Sequence, residues 1–394
     1  MTDVVEQLFE PAARQALVAL RRDLHQHPEL SFAETRTAAT LERALAALNP
    51  ATLERVAGTG LVARIRGTTR GAPTVAVRGD IDALPIQEAT DLPFASVNAG
   101  VMHACGHDVH AAWAVGVAYL LAERPAEGDV LVVLQPAEET GTGAAAVLAS
   151  GALDDVAAIF GAHVDRRFVV GQVVAQAGPL AASADSFEIA IAGRGAHGAR
   201  PHESADPVVC AAAIVSALQT IVARRVNPAT PAVVTVATIH AGSALNVIPD
   251  RATLGGTLRA VDPETRALLG AEVLRLAEGI AAAYGLTATV SLTLGPPPIV
   301  NPEGPAAWAR EAAQSLLGPA AVVPLGITNM AGEDFAYYME RIPGCFMRIG
   351  ARLANEPAIP AHTPQFHAAE ESLFVGAAVL AETARVASRE LGRR

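Results

Sequence analysis

At 394 residues the chain is long enough for about two domains, and its net charge of −11 with a pI near 5.5 argues against nucleic acid, whose phosphates demand clustered Lys and Arg. Hydrophobic residues make up 51% of it, yet no uninterrupted apolar run reaches the ~18 residues of a membrane span, so no membrane partner is expected. Cys105, Cys210 and Cys345 are odd in number and far apart, which disfavours a disulfide framework, and "MTDVVEQLFEPAARQ" shows no secretory pattern, so the expected compartment is the cytosol.

Helical patterns come first, in "PAARQALVALRRDLHQH" and "AETRTAATLERALAAL", and the short apolar runs "TVAVRGD" and "DVLVVLQP" follow as strands. Each run ends in a polar loop, as buried parallel strands of an α/β domain do, and active-site residues gather at such strand ends. Near "QAGPLAASAD" the pattern changes. "SFEIAIAG", the long apolar helix "DPVVCAAAIVSALQTIVARRV", the strands "AVVTVATIHAG" and "RATLGGTLRAV", the helix "PETRALLGAEVLRLAEGIAAAYG" and the alternating "TATVSLTLG" succeed one another. Strand-helix-strand-strand-helix-strand is the order of a ferredoxin-like unit. "GPPPIVNP" then punctuates a return to α/β patterning. The expected architecture is a two-domain α/β protein, with residues 1–180 and 296–394 forming a discontinuous catalytic domain and residues 181–295 an inserted α+β unit.

The chemistry concentrates in "MHACGHDVH", where Cys105 and His107 are two residues apart. A thiolate and an imidazole suit Zn²⁺ or another divalent first-row ion. That pair is too short to close a site, so further ligands must come from elsewhere. Glu138 and Glu139 follow the strand "VLVVLQ", His163 ends "AIFGAH", and "AHTPQFH" offers His362 and His367. Adjacent carboxylates after a buried strand are costly unless a cation or proton neutralises one. In extended chain the two would project oppositely. One then ligates metal while the other stays available to take a proton from a metal-activated water.

With these residues in hand, the chain resembles the amidohydrolase branch of the co-catalytic metallopeptidases, which includes hippurate hydrolases, N-acyl-amino-acid aminoacylases and indole-acetyl-amino-acid hydrolases. The matching segments, in family order, include "LHQHPELSFAE", "VRGDIDALPI", "MHACGHDVH", "QPAEETGTG", "GAHVD", "GRGAHGARPHESADPV", "NVIPDRATLGGTLRA", "GEDFAYY" and "HTPQF". The resemblance implies Cys105, His107, Glu139, His163 and His362 as ligands to two divalent ions, Mn²⁺ or Zn²⁺ with Co²⁺ or Ni²⁺ also accepted. It implies Glu138 as general base and the inserted unit as a lid that carries a homodimer interface. His197 then polarises the scissile carbonyl, and Asn246 and Arg259 orient the small-molecule N-acyl amino acid substrate. Asp80 and Asp82 match acids that orient ligating histidines, and His103 and His110 are candidates for the same work. Glu333 and Asp334 match a motif near the pocket, while His367 falls outside the motifs and is read as a surface residue.

Other functions fare worse. "GTGLVA" and "GTGAAA" fit a dinucleotide-binding pattern, but the first opens no helix and the second stands beside Glu138–Glu139, which would repel a pyrophosphate. No G-x-S-x-G elbow is present for a serine hydrolase. A metallo-dipeptidase or carboxypeptidase usually carries an H-x-D ligand pair where this chain has "DID" and "HACGHD". A catalytically silent binding protein of the same fold would have lost a ligand or the base, and all six residues are intact.

Overall fold

The structure is a computed structural model that describes residues 5–393. It divides into two compact units: one comprises the chain up to Gly178, Asn301–Gly326 and the stretch from Asp334 on, the other Pro179–Val300 and Ile327–Glu333. The architecture is the two-domain α/β arrangement that the sequence predicts, with a smaller β-rich unit inserted into a larger one.

The larger unit is organised by a seven-stranded sheet in the order Thr52–Val56, Gly60–Ile65, Val130–Gln135, Thr74–Asp80, Val156–Val169, Gly344–Arg352, Val173–Val174. The four strands from Val130–Gln135 to Gly344–Arg352 run parallel, and antiparallel partners close both flanks. "VLVVLQ" and "TVAVRGD" are buried along their whole length, the signature of strands covered on both faces. The helix His107–Glu123 is apolar nearly all round and buried almost end to end, packed on the sheet and against the helix Glu371–Gly392. Gly376 permits that contact, since a Cβ there would lie 2.1 Å from Cε3 of Trp113.

The inserted unit is a four-stranded antiparallel sheet in the order Ala232–Ala241, Arg251–Ala260, Asp185–Ala192, Thr287–Thr293. With the helices Pro207–Arg224 and Pro263–Ala283 between the strands, this is ferredoxin-like topology. Among the described residues Pro207–Arg224 is one helix long and apolar enough to cross a membrane. Ser216, Gln219 and Thr220 interrupt its apolar run without adding charge. Here its Cys210, Ile214, Leu218 and Ile221, spaced three or four apart, form the stripe that packs into the unit's own core.

Candidate metal centre

One row of residues across the parallel strands carries the site. Asp80 stands level with Gln135. On its other side Arg78 pairs with Gly161, a register that carries Asp80 to the level of His163, and His163 pairs with Arg348. Asp80 and Gln135 are the last residues of their strands, where an open α/β sheet presents its ligands, while the longer strands Val156–Val169 and Gly344–Arg352 run on past His163 and Arg348.

Cys105 and His107 are presented by the start of the buried helix. Gly106 between them has φ +89°, a left-handed conformation that glycine adopts without steric cost. The helix's first turn is held from behind: Asp108 Oδ2 lies 2.8 Å from Arg21 Nε and 2.9 Å from His25 Nδ1, all three buried. Burial disfavours the Asp108 carboxylate, but the Arg21 guanidinium and the His25 imidazole outweigh it and hold its pKa well below the ordinary range.

The imidazoles are each aimed by a partner on the other nitrogen. His107 Nδ1 donates to the Asp82 carbonyl at 2.9 Å and lies 3.2 Å from Asp82 Oδ1. His163 Nδ1 donates to the Val164 carbonyl at 2.6 Å. Both Nε2 atoms are thereby left facing the cluster. Cys105 Sγ lies 3.1 Å from His163 Nε2 and 3.3 Å from His362 Nε2. His362 itself sits at φ +63° and is pinned by its own N–H to the Ala104 carbonyl at 2.8 Å. Its Nε2 lies 3.5 Å from Glu139 Oε2.

Cys105, His107 and His163 offer one set of ligand atoms, all within 4.8 Å of one another, and Cys105, Glu139 and His362 offer another. The thiol belongs to both. His107 Nε2 stands 3.7 Å from Asp80 Oδ2, 3.8 Å from Glu139 Oε1 and 3.9 Å from Glu138 Oε2. Separations of this size are what ligands leave between them when they share an ion at bond lengths of about 2.0–2.3 Å.

Glu138 and Glu139 do not project to opposite sides, as an extended chain would place them. Ala137 turns left-handed at φ +54°, the chain bends, and the Gly141 N–H closes on the Glu138 carbonyl at 2.7 Å. Both carboxylates therefore face His107. The buried Glu34 carboxylate, which sequence reasoning passed over, accepts the Ala137 N–H at 3.0 Å and the Thr59 hydroxyl at 2.6 Å. Asp82 Oδ2 in turn accepts the Glu139 N–H at 3.0 Å and the Ser31 hydroxyl at 2.8 Å.

A divalent pair suits this donor set. His107 Nε2 and Glu139 Oε1 are buried without a hydrogen-bond partner, a costly condition that a cation relieves. Among the protein groups alone, burial and the Glu139 carboxylate push the Cys105 thiol well above its usual range, and burial carries Glu139 up to about 7. Burial also keeps the His163 imidazole neutral, the form that binds metal. For His107 burial acts the same way, but the Asp80 and Asp82 carboxylates overcome it and raise its pKa well above the ordinary value. The cluster asks for positive charge where Nε2 of His107 points.

His110 is a support and not a ligand. Its Nε2 accepts the Val164 N–H at 3.0 Å, so its Nδ1 carries the proton that goes to Asp80 Oδ1 at 2.6 Å. Its ring stacks on Trp113, centroids 4.4 Å apart. His103 is buried with neither ring nitrogen hydrogen-bonded, and burial takes its pKa down to about 4. Asp334 is a buried anchor: it accepts from Gln135 Nε2 at 2.8 Å, Arg78 Nη2 at 3.0 Å and the Ala144 N–H at 2.9 Å. Arg78 also donates to Asp80 Oδ2 at 2.5 Å. Glu333 is buried too. His367 is partly exposed and turns to the Gln365 carbonyl at 3.2 Å, apart from the cluster.

The sequence profile of peptidase family M20/M25/M40 matches residues 76–386. The chain belongs to this family. It is a metal-dependent hydrolase of the M20 type, and its curated relatives span nearly its full length. Two Bacillus subtilis (strain 168) proteins stand out. The N-acetylcysteine deacetylase is 43% identical over 96% of this chain and 98% of its own, and the N-acetyl-L-cysteine deacetylase is 41% identical over 94% and 87%. The crystal structure of the Bacillus subtilis YXEP protein, a dinuclear metal binding peptidase from the M20 family, superposes with a TM-score of 0.85 at 39% identity, covering 96% of this chain and 99% of that one.

The M20 chain's remaining candidate residues lie in the inserted unit. His197 is exposed, paired with Val247 in a two-stranded ribbon. The Ala199 N–H donates to its Nδ1 at 3.1 Å, which leaves the ring proton on Nε2. Asn246 lies on the facing strand entry, where its carbonyl accepts the Gly198 N–H at 2.7 Å. Arg259 is half-buried on the strand Arg251–Ala260.

Proposed function

We propose that this chain hydrolyses the amide bond of N-acyl amino acids, as an amidohydrolase of the aminoacylase and hippurate-hydrolase kind. The observation that carries the reading is the thiol of Cys105 standing between the imidazoles of His163 and His362, with Glu139 and Glu138 together on one turn beside it. The two related deacetylases act on an N-acetylated amino acid by name, which agrees with that substrate class.

Cys105, His107, Glu139, His163 and His362 would hold two divalent ions, Mn²⁺ or Zn²⁺. Bound there, the ions supply the positive charge that polarises a carbonyl and acidifies water. The chain's own groups do the rest. Glu138 takes a proton from the attacking water and returns it to the nitrogen of the departing amino acid. His197, with its proton on Nε2, is suited to donate to the carbonyl oxygen as charge develops. Arg259 offers a planar fork for the substrate carboxylate, and Asn246 an amide that orients the carbonyl. Asp82 and Asp80 keep His107 and His110 in their tautomers. We propose a homodimer formed through the inserted unit, because its strand Ala232–Ala241 is an open sheet edge that exposes Val233 and Ile239.

The test is hydrolysis of N-acetyl and N-benzoyl amino acids by chelated protein restored with Mn²⁺, Zn²⁺ or Co²⁺. Glu138→Ala should lose at least about a hundredfold in kcat while metal content is unchanged. Near-wild-type turnover with metal still bound would remove Glu138 from the base role, and an inactive wild type across the panel would sink the substrate class.

A further inference from the structure

Leu30, Ser31, Phe32 and Ala33 form a tight turn closed by the Ala33 N–H on the Leu30 carbonyl at 2.8 Å. Phe32 holds its third position at φ +58°. A positive φ there calls for glycine or asparagine, and for a bulky aromatic residue it is a strained conformation. The ring gains no core burial in exchange: it is 48% exposed and lies outside the main core. Strain of this kind persists where neighbouring structure enforces it, and it clusters at functional sites.

The neighbouring structure here is the metal cluster. Leu30 bridges to Ala83, one residue beyond Asp82. Ser31 donates to the Asp82 carboxylate that aims His107. Glu34, two residues past Phe32, holds the turn that carries Glu138 and Glu139. The backbone that carries the exposed ring is thus held between two anchors, each one step from a proposed ligand or base. We infer that Phe32 is a specificity-determining residue whose ring forms an apolar wall for the acyl group or the amino-acid side chain of the substrate. This rests on the amidohydrolase reading above.

The test uses metal-loaded full-length protein and two substrate arms. One lengthens the acyl chain from acetyl to octanoyl on a single amino acid, and the other varies the side chain from glycine to leucine under a fixed acetyl. Phe32→Asn, which suits the left-handed backbone, should raise KM about tenfold for the apolar members of one arm. It should leave kcat within about twofold and the melting temperature equal or higher, because the strain is relieved. Phe32→Leu should fall between the two. The arm that responds identifies which group the ring contacts. A KM change uniform over both arms, no change in KM, or a melting temperature lowered by more than about 5 °C would each overturn the inference, the last by showing a packing role. Wild-type protein inactive on every substrate would overturn the amidohydrolase reading and this inference with it, a result distinct from an active wild type that Phe32→Asn leaves unaltered.

Discussion

Ala137 holds φ +54° one residue before Glu138, and the group that keeps it there is the buried Glu34 carboxylate, more than a hundred residues away in sequence. Glu34→Ala orphans a buried backbone N–H at a cost of about 1–3 kcal/mol and loosens the turn that carries both acids. We expect kcat to fall at least about tenfold, since a misplacement of about 1 Å is enough for that. Glu34→Gln retains an acceptor for the Ala137 N–H and should recover most of the rate. Equal losses in the two variants, measured by steady-state kinetics alongside thermal melting, would show that charge matters and placement does not. Glu34 also marks how far single residues are legible in sequence. The donors Cys105, His107, Glu138, Glu139, His163 and His362 announce themselves as metal-binding types at the ends of apolar segments, and they meet at one place. Glu34, Arg78 and Gln135 are of types that ordinarily face solvent, and only the folded chain reveals what they hold. Asp334 was visible as part of a motif, but its work in tying Arg78 and Gln135 to the Ala144 N–H depends on contacts that no spacing encodes.

At the scale of elements, the helix His107–Glu123 joins the site to the core. Its residue His110 stacks on Trp113, and Trp113 meets Gly376 on the helix Glu371–Gly392. A single added methyl has nowhere to go in so close a contact. Gly376→Ala should therefore cost about 1–3 kcal/mol, seen as a lower denaturation midpoint. It should also weaken metal retention in a chelator titration, because the strain reaches His110 and through it Asp80. Stability lost with metal retention unchanged would show that the stack is only packing. The helices Pro11–Gln26, Thr35–Ala46, Pro207–Arg224 and Pro263–Ala283 are legible in local sequence pattern, and "VLVVLQ" and "TVAVRGD" need only their composition, whereas His107–Glu123, apolar nearly all round, lacks the one-sided stripe that marks a helix in sequence. The Glu138–Glu139 turn was not. It depends on a left-handed alanine, a residue with no turn preference of its own, held by a distant partner.

For the molecule as a whole, the proposed homodimer makes the open edge Ala232–Ala241 the sensitive surface. Sedimentation of the wild type should give twice the chain mass. Ile239→Lys, which places a charge where Ile239 is 53% exposed, should shift it toward monomer. A monomeric wild type, or a variant indistinguishable from it, would dissolve that assignment. The inserted unit was legible as a change of pattern, since alternating strands replace buried ones between Pro179 and Val300.

The central sheet is assembled out of order. The strand Gly344–Arg352 sits between Val156–Val169 and Val173–Val174, hydrogen-bonded to both, although the whole insertion is synthesised before it. On the ribosome, then, the growing polypeptide carries an unfilled slot beside His163 while the insertion emerges, and His362 arrives later still. Such late, long-range pairing is slow and exposes an unsatisfied strand to wrong partners. Translation must pass His362 before the proposed set of cation ligands is complete.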